Sequence, residues 1–169
     1  MRRTALLQHD CFFPVRARAG RCRFSLAALT AGALLLASPA QAEGQIPGAL
    51  ERELLIKTSL LTLNDANVTG NYTVLHAKLA KPFQEQFSPD RLKQAFKTFA
   101  DQKVDWGVVA TKSPIEIGTA QIDQQGRLVL RGHFDTSPNR VTYALDFIPS
   151  EGEWKPVQIN VKVKPPTDN

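Results

Sequence analysis

The spacing of apolar residues changes along this chain near residue 103. Before that point, apolar residues recur every three or four positions, which is the repeat of a helix with one buried face. After it they recur at every second position, as in a strand. Helices followed by turn-linked strands predict an α+β domain, in which the helices cover one face of an antiparallel sheet. We expect three N-terminal helices and about four strands.

The first helix is predicted over residues 47–66. Leu50, Leu54 and Leu61 form an apolar stripe at i, i+4 and i+11. Further apolar positions widen that stripe: Ile56, Leu60 and Leu63. Proline favours the start of a helix and glycine its end, so Pro47 and Gly70 agree with these bounds.

Two more helices follow in the prediction. The second covers residues 72–81 and should end before Pro82. Its expected core-facing residues are Val74, Leu75 and Leu79. The third begins after Ser88, a favourable N-cap that is followed by proline at the first helical position. Its apolar residues repeat with helical spacing: Leu92, Ala95, Phe96, Phe99 and Ala100.

The strands are predicted from alternation. Ile115, Ile117 and Ile122 indicate a first strand, and turn residues separate the later ones. The inward positions of the later strands are Leu128, Leu130, Phe134, Val141, Tyr143, Leu145, Phe147, Val157, Ile159, Val161 and Val163. The opposite face should be polar and solvated, with Asp146 pointing outward. That face is expected to carry Arg131, His133, Asp135, Thr142 and Lys162.

Residues 23–42 are typical of a secretory signal peptide. Arg23 precedes an apolar run over residues 24–37, and Pro39 and small residues at positions 40 and 42 follow it. We expect cleavage after Ala42 and a single domain over residues 43–169, located in the periplasm or secreted from a bacterium. The apolar run is short for a bilayer span, so no stable membrane anchor is expected after cleavage. The sequence is compatible with a translation start at Met1 and with one near Val15.

The positive charge of the chain lies in this predicted leader. Six arginines and Asp10 give residues 1–42 a net charge of +5, which equals the formal charge of the whole chain. The remaining residues are formally neutral and lack the long-range field that gathers phosphates, so no nucleic-acid partner is expected. Both cysteines, Cys11 and Cys22, also lie in the leader, and the domain is expected to contain no disulfide.

Signals for metal or nucleophilic chemistry are weak. His76 and His133 are the two histidines after residue 42, and His133 shares a strand face with Asp135. Two ligands fall short of the three or four that zinc requires, so we expect no metal site. The sequence contains no Gly-x-Ser-x-Gly motif and no glycine-rich phosphate loop, and we expect no cofactor.

Three segments carry a family resemblance. They are Leu63-Asn64-Asp65-Ala66-Asn67-Val68-Thr69-Gly70-Asn71-Tyr72, residues 83–92 leading into the third helix, and residues 143–147 with 153–161 as a closing hairpin. With them the chain resembles the NTF2-like, or cystatin-like cone, superfamily, and within it small exported bacterial members of unknown function. The resemblance implies a curved sheet with helices in its hollow and, by analogy, a homodimer. Such folds often insert a strand between helices, for which residues 104–111 are the candidate.

Two functions follow from this fold expectation. The first is non-enzymatic binding of a small apolar ligand or of a protein partner in the cell envelope. The residues predicted to bind the ligand are Tyr72, His76, Phe99, Trp106, Phe134 and Tyr143. The alternative is a small isomerase, lyase or hydrolase with an acid or base inside the cone, lined by His76, Tyr72 or Asp65. Because alternation points Tyr143 inward and Asp146 outward, we expect no catalytic residues, although the question of enzymatic activity stays open.

Overall fold

A computed structural model describes residues 45–164, so the predicted signal peptide and residues 165–169 lie outside the described part. The α+β prediction is confirmed. The described chain forms five α-helices and one 3-10 helix before the sheet, where three helices were expected. The helices are α1 Ala49–Thr69, α2 Thr73–Lys78, α3 Lys81–Gln86, α4 Pro89–Ala95, α5 Lys97–Asp101 and the 3-10 helix Gly107–Thr111.

The sheet is open and antiparallel, and five strands build it. They are β1 Ile115–Glu116, β2 Gln121–Ile122, β3 Leu128–Phe134, β4 Arg140–Ser150 and β5 Glu153–Lys164. Both short strands, β1 and β2, pair with the same edge of β3. Strand β4 pairs with β3 on one side and with β5 on the other, which leaves β5 at the far edge of the sheet.

Helix α1 buries a different face from the one predicted. Leu50 and Leu54 are 84% and 64% exposed, whereas Ile56, Leu60 and Leu63 are fully buried. The prediction that Leu50 and Leu54 lead the buried stripe was wrong. Both spacings are helical, and the side that meets the sheet was decided by tertiary packing.

The middle helices are shorter and more numerous than predicted. Val74 is 57% exposed, so its expected core position was wrong, while Leu75 and Leu79 are buried. Pro82 lies in the first turn of α3. Backbone N–H groups in a first turn have no intrahelical acceptor, so a proline there costs the helix no hydrogen bond. The predicted third helix is interrupted at Phe96, whose backbone leaves helical geometry between α4 and α5.

The candidate segment for an inserted strand, residues 104–111, contains no strand, and its residues Gly107–Thr111 form the 3-10 helix. The position of the 3-10 helix is fixed by the preceding residue, Trp106, which is buried against α1. The indole Nε1 of Trp106 donates to the Leu60 carbonyl at 3.0 Å, and the Trp106 backbone N–H donates to the Asn64 side chain at 2.9 Å. Asn64 in turn donates to Asp105 at 2.9 Å. These bonds satisfy the buried polar groups where the 3-10 helix meets α1.

The sheet faces agree with the alternation. All predicted inward positions of β3 and β4 are buried, and those of β5 are buried or half-buried. A register shift near Phe147 marks a bulge in the β4–β5 pair. Asp146 does lie on the outer face, but it is only 2% exposed and therefore is not solvated as expected.

The burial of Asp146 has a direct cause in two arginines that lie over it. Arg131 Nη2 is 2.6 Å from its Oδ1 and Arg127 Nη1 is 3.4 Å from its Oδ2. The shorter contact, between Arg131 and Asp146, is an ion pair. Its geometry does not meet the requirements of a hydrogen bond to Oδ1. Two guanidinium groups offset much of the cost of removing the carboxylate from water.

Within residues 45–164, no helix has the length and apolar content that a membrane crossing requires.

Candidate functional site

A cleft lies between helices α4–α5 and the edge strand β5, and we name it the edge cleft. Its volume is about 200 Å³. Phe96 and Phe99 form part of its helical wall, and Val104 also lines it. Its complete lining is Ala95, Phe96, Thr98, Phe99, Gln102, Val104, Asn139, Ile159, Asn160, Val161, Lys162 and Val163.

The strand wall of the edge cleft consists of the backbone edge of β5. Five consecutive residues, Ile159 to Val163, line the cleft. Successive side chains of a strand point to opposite faces of the sheet, so five in a row cannot all turn one way. What they share is the edge of the strand, and β5 has no strand partner on that side within the described sheet. The cleft therefore combines backbone polar groups with an aromatic wall.

An apolar groove extends the edge cleft along the same strand. The two share Ala95, Phe96 and Ile159. The remaining lining of the groove is Leu75, Leu79, Phe83, Phe87, Leu92, Val157 and Gln158. Its free volume is about 20 Å³, so it is nearly filled by its own side chains. Room for a ligand lies in the edge cleft, and the groove supplies an apolar floor next to it.

One position in the first half of β5 is bonded from outside the sheet. The Ala80 backbone N–H, just before α3, donates to the Pro156 carbonyl at 3.0 Å. Pro156 itself has no N–H to offer, and proline is one of the features by which edge strands avoid pairing. This bonded position precedes Ile159, the first residue of β5 that lines the edge cleft.

The predicted ligand-binding residues separate into groups. Tyr72, Phe99 and Trp106 belong to one row of aromatic rings. Phe96 connects this row, because its ring centroid lies 6.5 Å from that of Tyr72 and 6.5 Å from that of Phe99. Phe99 meets Trp106 edge to face at 5.3 Å. Tyr72 and Trp106 are buried in the core. Of the three residues of this row that the sequence predicted to bind a ligand, Phe99 lines the edge cleft.

The other predicted residues lie elsewhere. Phe134 and Tyr143 pack together in the core with ring centroids 5.7 Å apart, and both are buried. His76 lies on α2, where its Nε2 is 3.1 Å from the Gln84 carbonyl oxygen. The structure does not bring the six residues to one place.

The acid–base candidates do not converge either. Tyr143 faces the core, whereas Asp146 lies on the opposite sheet face beneath two arginines. Burial, together with the nearby Glu116 carboxylate, raises the pKa of Tyr143 above its ordinary value, and Arg52 opposes that effect. Asp65 is exposed on α1. The geometry therefore keeps the Tyr143 hydroxyl protonated and places no carboxylate of β4 beside it.

For metal binding, no group of three or more His, Cys, Asp or Glu side chains comes together within residues 45–164. His133 Nε2 lies 3.5 Å from Asp135 Oδ1, and Asp135 also pairs with Arg140 at 2.8 Å. This surface arrangement holds the Asp135 carboxylate in an ion pair with Arg140 and beside the His133 ring.

Sequence analysis missed the edge of β5 as a site, and it missed Thr98, Gln102 and Asn139. A signal for the edge was present, because the last strand of an antiparallel meander must lie at one side of the sheet. The polar residues had no signal of their own, since they belong to three separate segments that meet only in the folded chain.

Comparisons with protein-family models, with curated proteins and with solved structures find no match to this chain. The edge cleft is therefore the feature of this protein from which its function is inferred.

Proposed function

We propose that this chain is an exported, NTF2-like domain that binds a ligand without transforming it, and that the edge cleft is the binding site. The observation that carries the proposal is the composition of the cleft. An aromatic wall of Phe96 and Phe99 faces the backbone edge of β5. A ligand with an apolar body and a few polar groups matches such a site, because binding sites are mostly apolar with a few placed polar groups.

The core supports a site at the edge over one inside the hollow of the sheet. Trp106, Phe134 and Tyr143 are each at most 1% exposed and pack against their neighbours. An enzyme of the cone type needs an acid or base that reaches a substrate in the interior, and the side chains here occupy that interior. The separation of Tyr143 from Asp146 across the sheet also favours binding over catalysis.

The element order supports the family part of the proposal. Helices precede an antiparallel meander, as the resemblance implies. Residues 23–42, which carry the proposal of export, lie outside the described residues, so export is tested by measuring the mass of the mature chain.

The first experiment is native mass spectrometry of the protein purified after expression of the full chain. A ligand carried from the cell gives added mass that denaturation releases. In parallel, binding of the amphipathic dye 8-anilinonaphthalene-1-sulfonate is measured by fluorescence. Thr98→Trp places a large side chain in the edge cleft, whereas Thr119→Trp makes the same change at an exposed position between β1 and β2.

We expect Thr98→Trp to weaken dye binding by about tenfold or more, because it occupies the space of the ligand, which corresponds to about 1.4 kcal/mol. Thr119→Trp should bind the dye like the unmodified protein. The proposal is wrong if the protein carries no ligand and the dye either fails to bind or binds both variants equally well.

A further inference from the structure

We propose that the outer face of helix α1 binds a second copy of this chain, so that two α1 helices pack antiparallel about a two-fold axis. We name this face the outer stripe. It lies on the side of α1 opposite the residues that the core buries, and it is defined by Leu54, Lys57, Leu61, Asp65 and Val68. None of these residues lines the edge cleft, so this inference does not rest on the proposed function.

The apolar residues of the outer stripe are the first support. Leu54 and Val68 are 64% and 63% exposed, and Leu61 between them is half-buried. Each is seven residues from the next, so all three lie on one side of the helix. The same helix buries Leu60 and Leu63 on its other side. Helix α1 therefore has two apolar faces, and the second becomes buried when another surface covers it.

The spacing of the outer stripe is symmetrical about Leu61, which is the second support. When two antiparallel helices have their two-fold axis at Leu61, a residue some positions before 61 lies opposite the residue the same number of positions after it. Leu54 and Val68 are seven positions before and after Leu61. Each leucine at 54 therefore meets a valine at 68 of the other copy, and the two Leu61 side chains meet at the axis.

Charge is the third support, and it selects the direction of the second helix. Lys57 and Asp65 are four positions before and after Leu61, so each ammonium group lies opposite a carboxylate of the other copy. A parallel pair in register would oppose lysine to lysine and aspartate to aspartate, and like charges disfavour association. The antiparallel arrangement is the one in which both the apolar residues and the charges are complementary.

Lys57 already has an ion pair within its own helix. Its Nζ is 2.7 Å from Glu53 Oε1, one turn away. Pairs of this kind on a helix surface are weak, and an ammonium group has three donors. Lys57 can therefore bind Asp65 of the other copy without releasing Glu53. In the same arrangement Glu53 lies opposite Thr69 of the other copy, which carries no charge.

The size of the outer stripe predicts a weak dimer. From Leu54 to Val68 it spans about 21 Å, at 1.5 Å per residue. Leu50 lies opposite position 72 of the other copy, beyond the end of its α1 at Thr69, and adds little. One helix pair of this length buries less than a standard interface of about 1,600 Å². We therefore expect a dimer that forms at micromolar concentration and dissociates on dilution.

The test is sedimentation equilibrium of the protein purified after expression of the full chain, from about 1 μM to about 300 μM. Mass spectrometry of the same sample shows whether residues 1–42 are present. Leu54→Glu places a carboxylate in the outer stripe, and Val74→Glu is the matched control at an exposed apolar residue of α2. Circular dichroism and urea unfolding check that every variant folds.

We expect the unmodified protein and Val74→Glu to dimerise with equal affinity. Leu54→Glu should raise the dissociation constant of the dimer by about tenfold or more, because it places a charge in an apolar contact.

Reversal of the charges tests the antiparallel register. Lys57→Glu alone opposes carboxylates, and Asp65→Lys alone opposes ammonium groups, so each should raise the dissociation constant by about tenfold or more. The double variant Lys57→Glu/Asp65→Lys again opposes unlike charges and should dimerise as tightly as the unmodified protein. Because the double variant also lacks the pair with Glu53, its recovery does not come from that contact.

Three results would overturn the proposal. The first is a monomer at every concentration, whether residues 1–42 are retained or removed. The second is a dimer that Leu54→Glu and Val74→Glu affect equally, which would place the interface on another face. The third is a double charge variant that dimerises no better than either single variant, which would exclude the antiparallel register.

Discussion

Gly132 on β3 and Tyr143 on β4 are direct cross-strand partners, and the tyrosine ring lies across the glycine. A Cβ atom at position 132 would be 2.3 Å from the Tyr143 hydroxyl oxygen and 2.3 Å from the backbone carbonyl oxygen of Ile115. Both distances are far inside van der Waals contact. Tyr143 thus reaches over β3 toward β1 because residue 132 has no side chain.

We expect Gly132→Ala to destabilise the protein by about 1–3 kcal/mol, the usual cost of forcing extra volume into a packed core. The Ile115 carbonyl is backbone, so the clash cannot be relieved by a rotamer change alone. Gly48→Ala is the control, because its added methyl meets nothing within 4 Å. Urea denaturation of both variants measures the difference. Equal stabilities would show that the Tyr143 ring does not lie where described.

Tyr143→Phe should leave stability at neutral pH unchanged or raised within about 1 kcal/mol, because the buried hydroxyl has no hydrogen-bond partner in the described structure. Tyr72→Phe should instead lower it by about 1 kcal/mol, since the Tyr72 hydroxyl donates to Asn67. Denaturant unfolding at pH 7 compares them. A larger loss for Tyr143→Phe would contradict the assignment.

The same tyrosines predict the alkaline behaviour. Burial raises the pKa of both Tyr72 and Tyr143 in the folded state. As pH rises above about 10, the unfolded chain loses these protons first, so the free energy of unfolding falls. The stability that these groups contribute is therefore complete below pH 10 and lost above it. Tyr143→Phe should flatten this decline, measured as unfolding free energy between pH 8 and pH 11, and an unchanged slope would refute the prediction.

Leu60 and Leu50 provide a matched pair on α1. Leu60 is fully buried and Leu50 is 84% exposed. We expect Leu60→Ala to cost about 2–5 kcal/mol through lost burial and a residual cavity, and Leu50→Ala to change stability by less than about 0.5 kcal/mol. Thermal and urea unfolding provide the measurement. A reversed order would mean that α1 packs on the face first predicted from its sequence.

Asp146 and Asp135 form a second matched pair, because both carboxylates bind arginine on the outer side of the sheet. Asp146 is 2% exposed under Arg127 and Arg131, whereas the Asp135 side chain is 55% exposed beside Arg140. Asp146→Asn should destabilise by about 1–3 kcal/mol, since it leaves two arginines without their buried counter-charge. Asp135→Asn should stay within about 0.5 kcal/mol. Similar losses for the two variants would show that burial does not distinguish the pairs.

Local pattern predicted the elements better than it predicted their contacts. The alternation of Leu128, Leu130 and Phe134 identified the buried face of β3 because a strand repeats every two residues and only one assignment of its faces buries them all. The leucines of α1 allowed more than one buried face. Leu50 and Leu54 share one helical stripe, Leu60 and Leu63 lie on another, and both have helical spacing.

The candidate site shows the same division. Phe99 was predicted as a ligand-binding residue from its aromatic character, and it lines the edge cleft. Tyr72, Trp106, Phe134 and Tyr143 have equal aromatic character but fill the core. Composition does not distinguish a residue that fills a core from one that lines a cleft, because that depends on which other segments cover it.

By itself, the sequence determined the α+β class, the order of helices before strands and the inward face of each long strand. These properties follow from periodicities that each segment carries alone. Tertiary structure decided which side of α1 is buried, where the predicted third helix breaks at Phe96, and that β5, the edge strand of the described sheet, lines a cleft together with Phe99. Each of these depends on segments that are distant in the chain, and a contact between distant segments leaves no mark in the local spacing of either one.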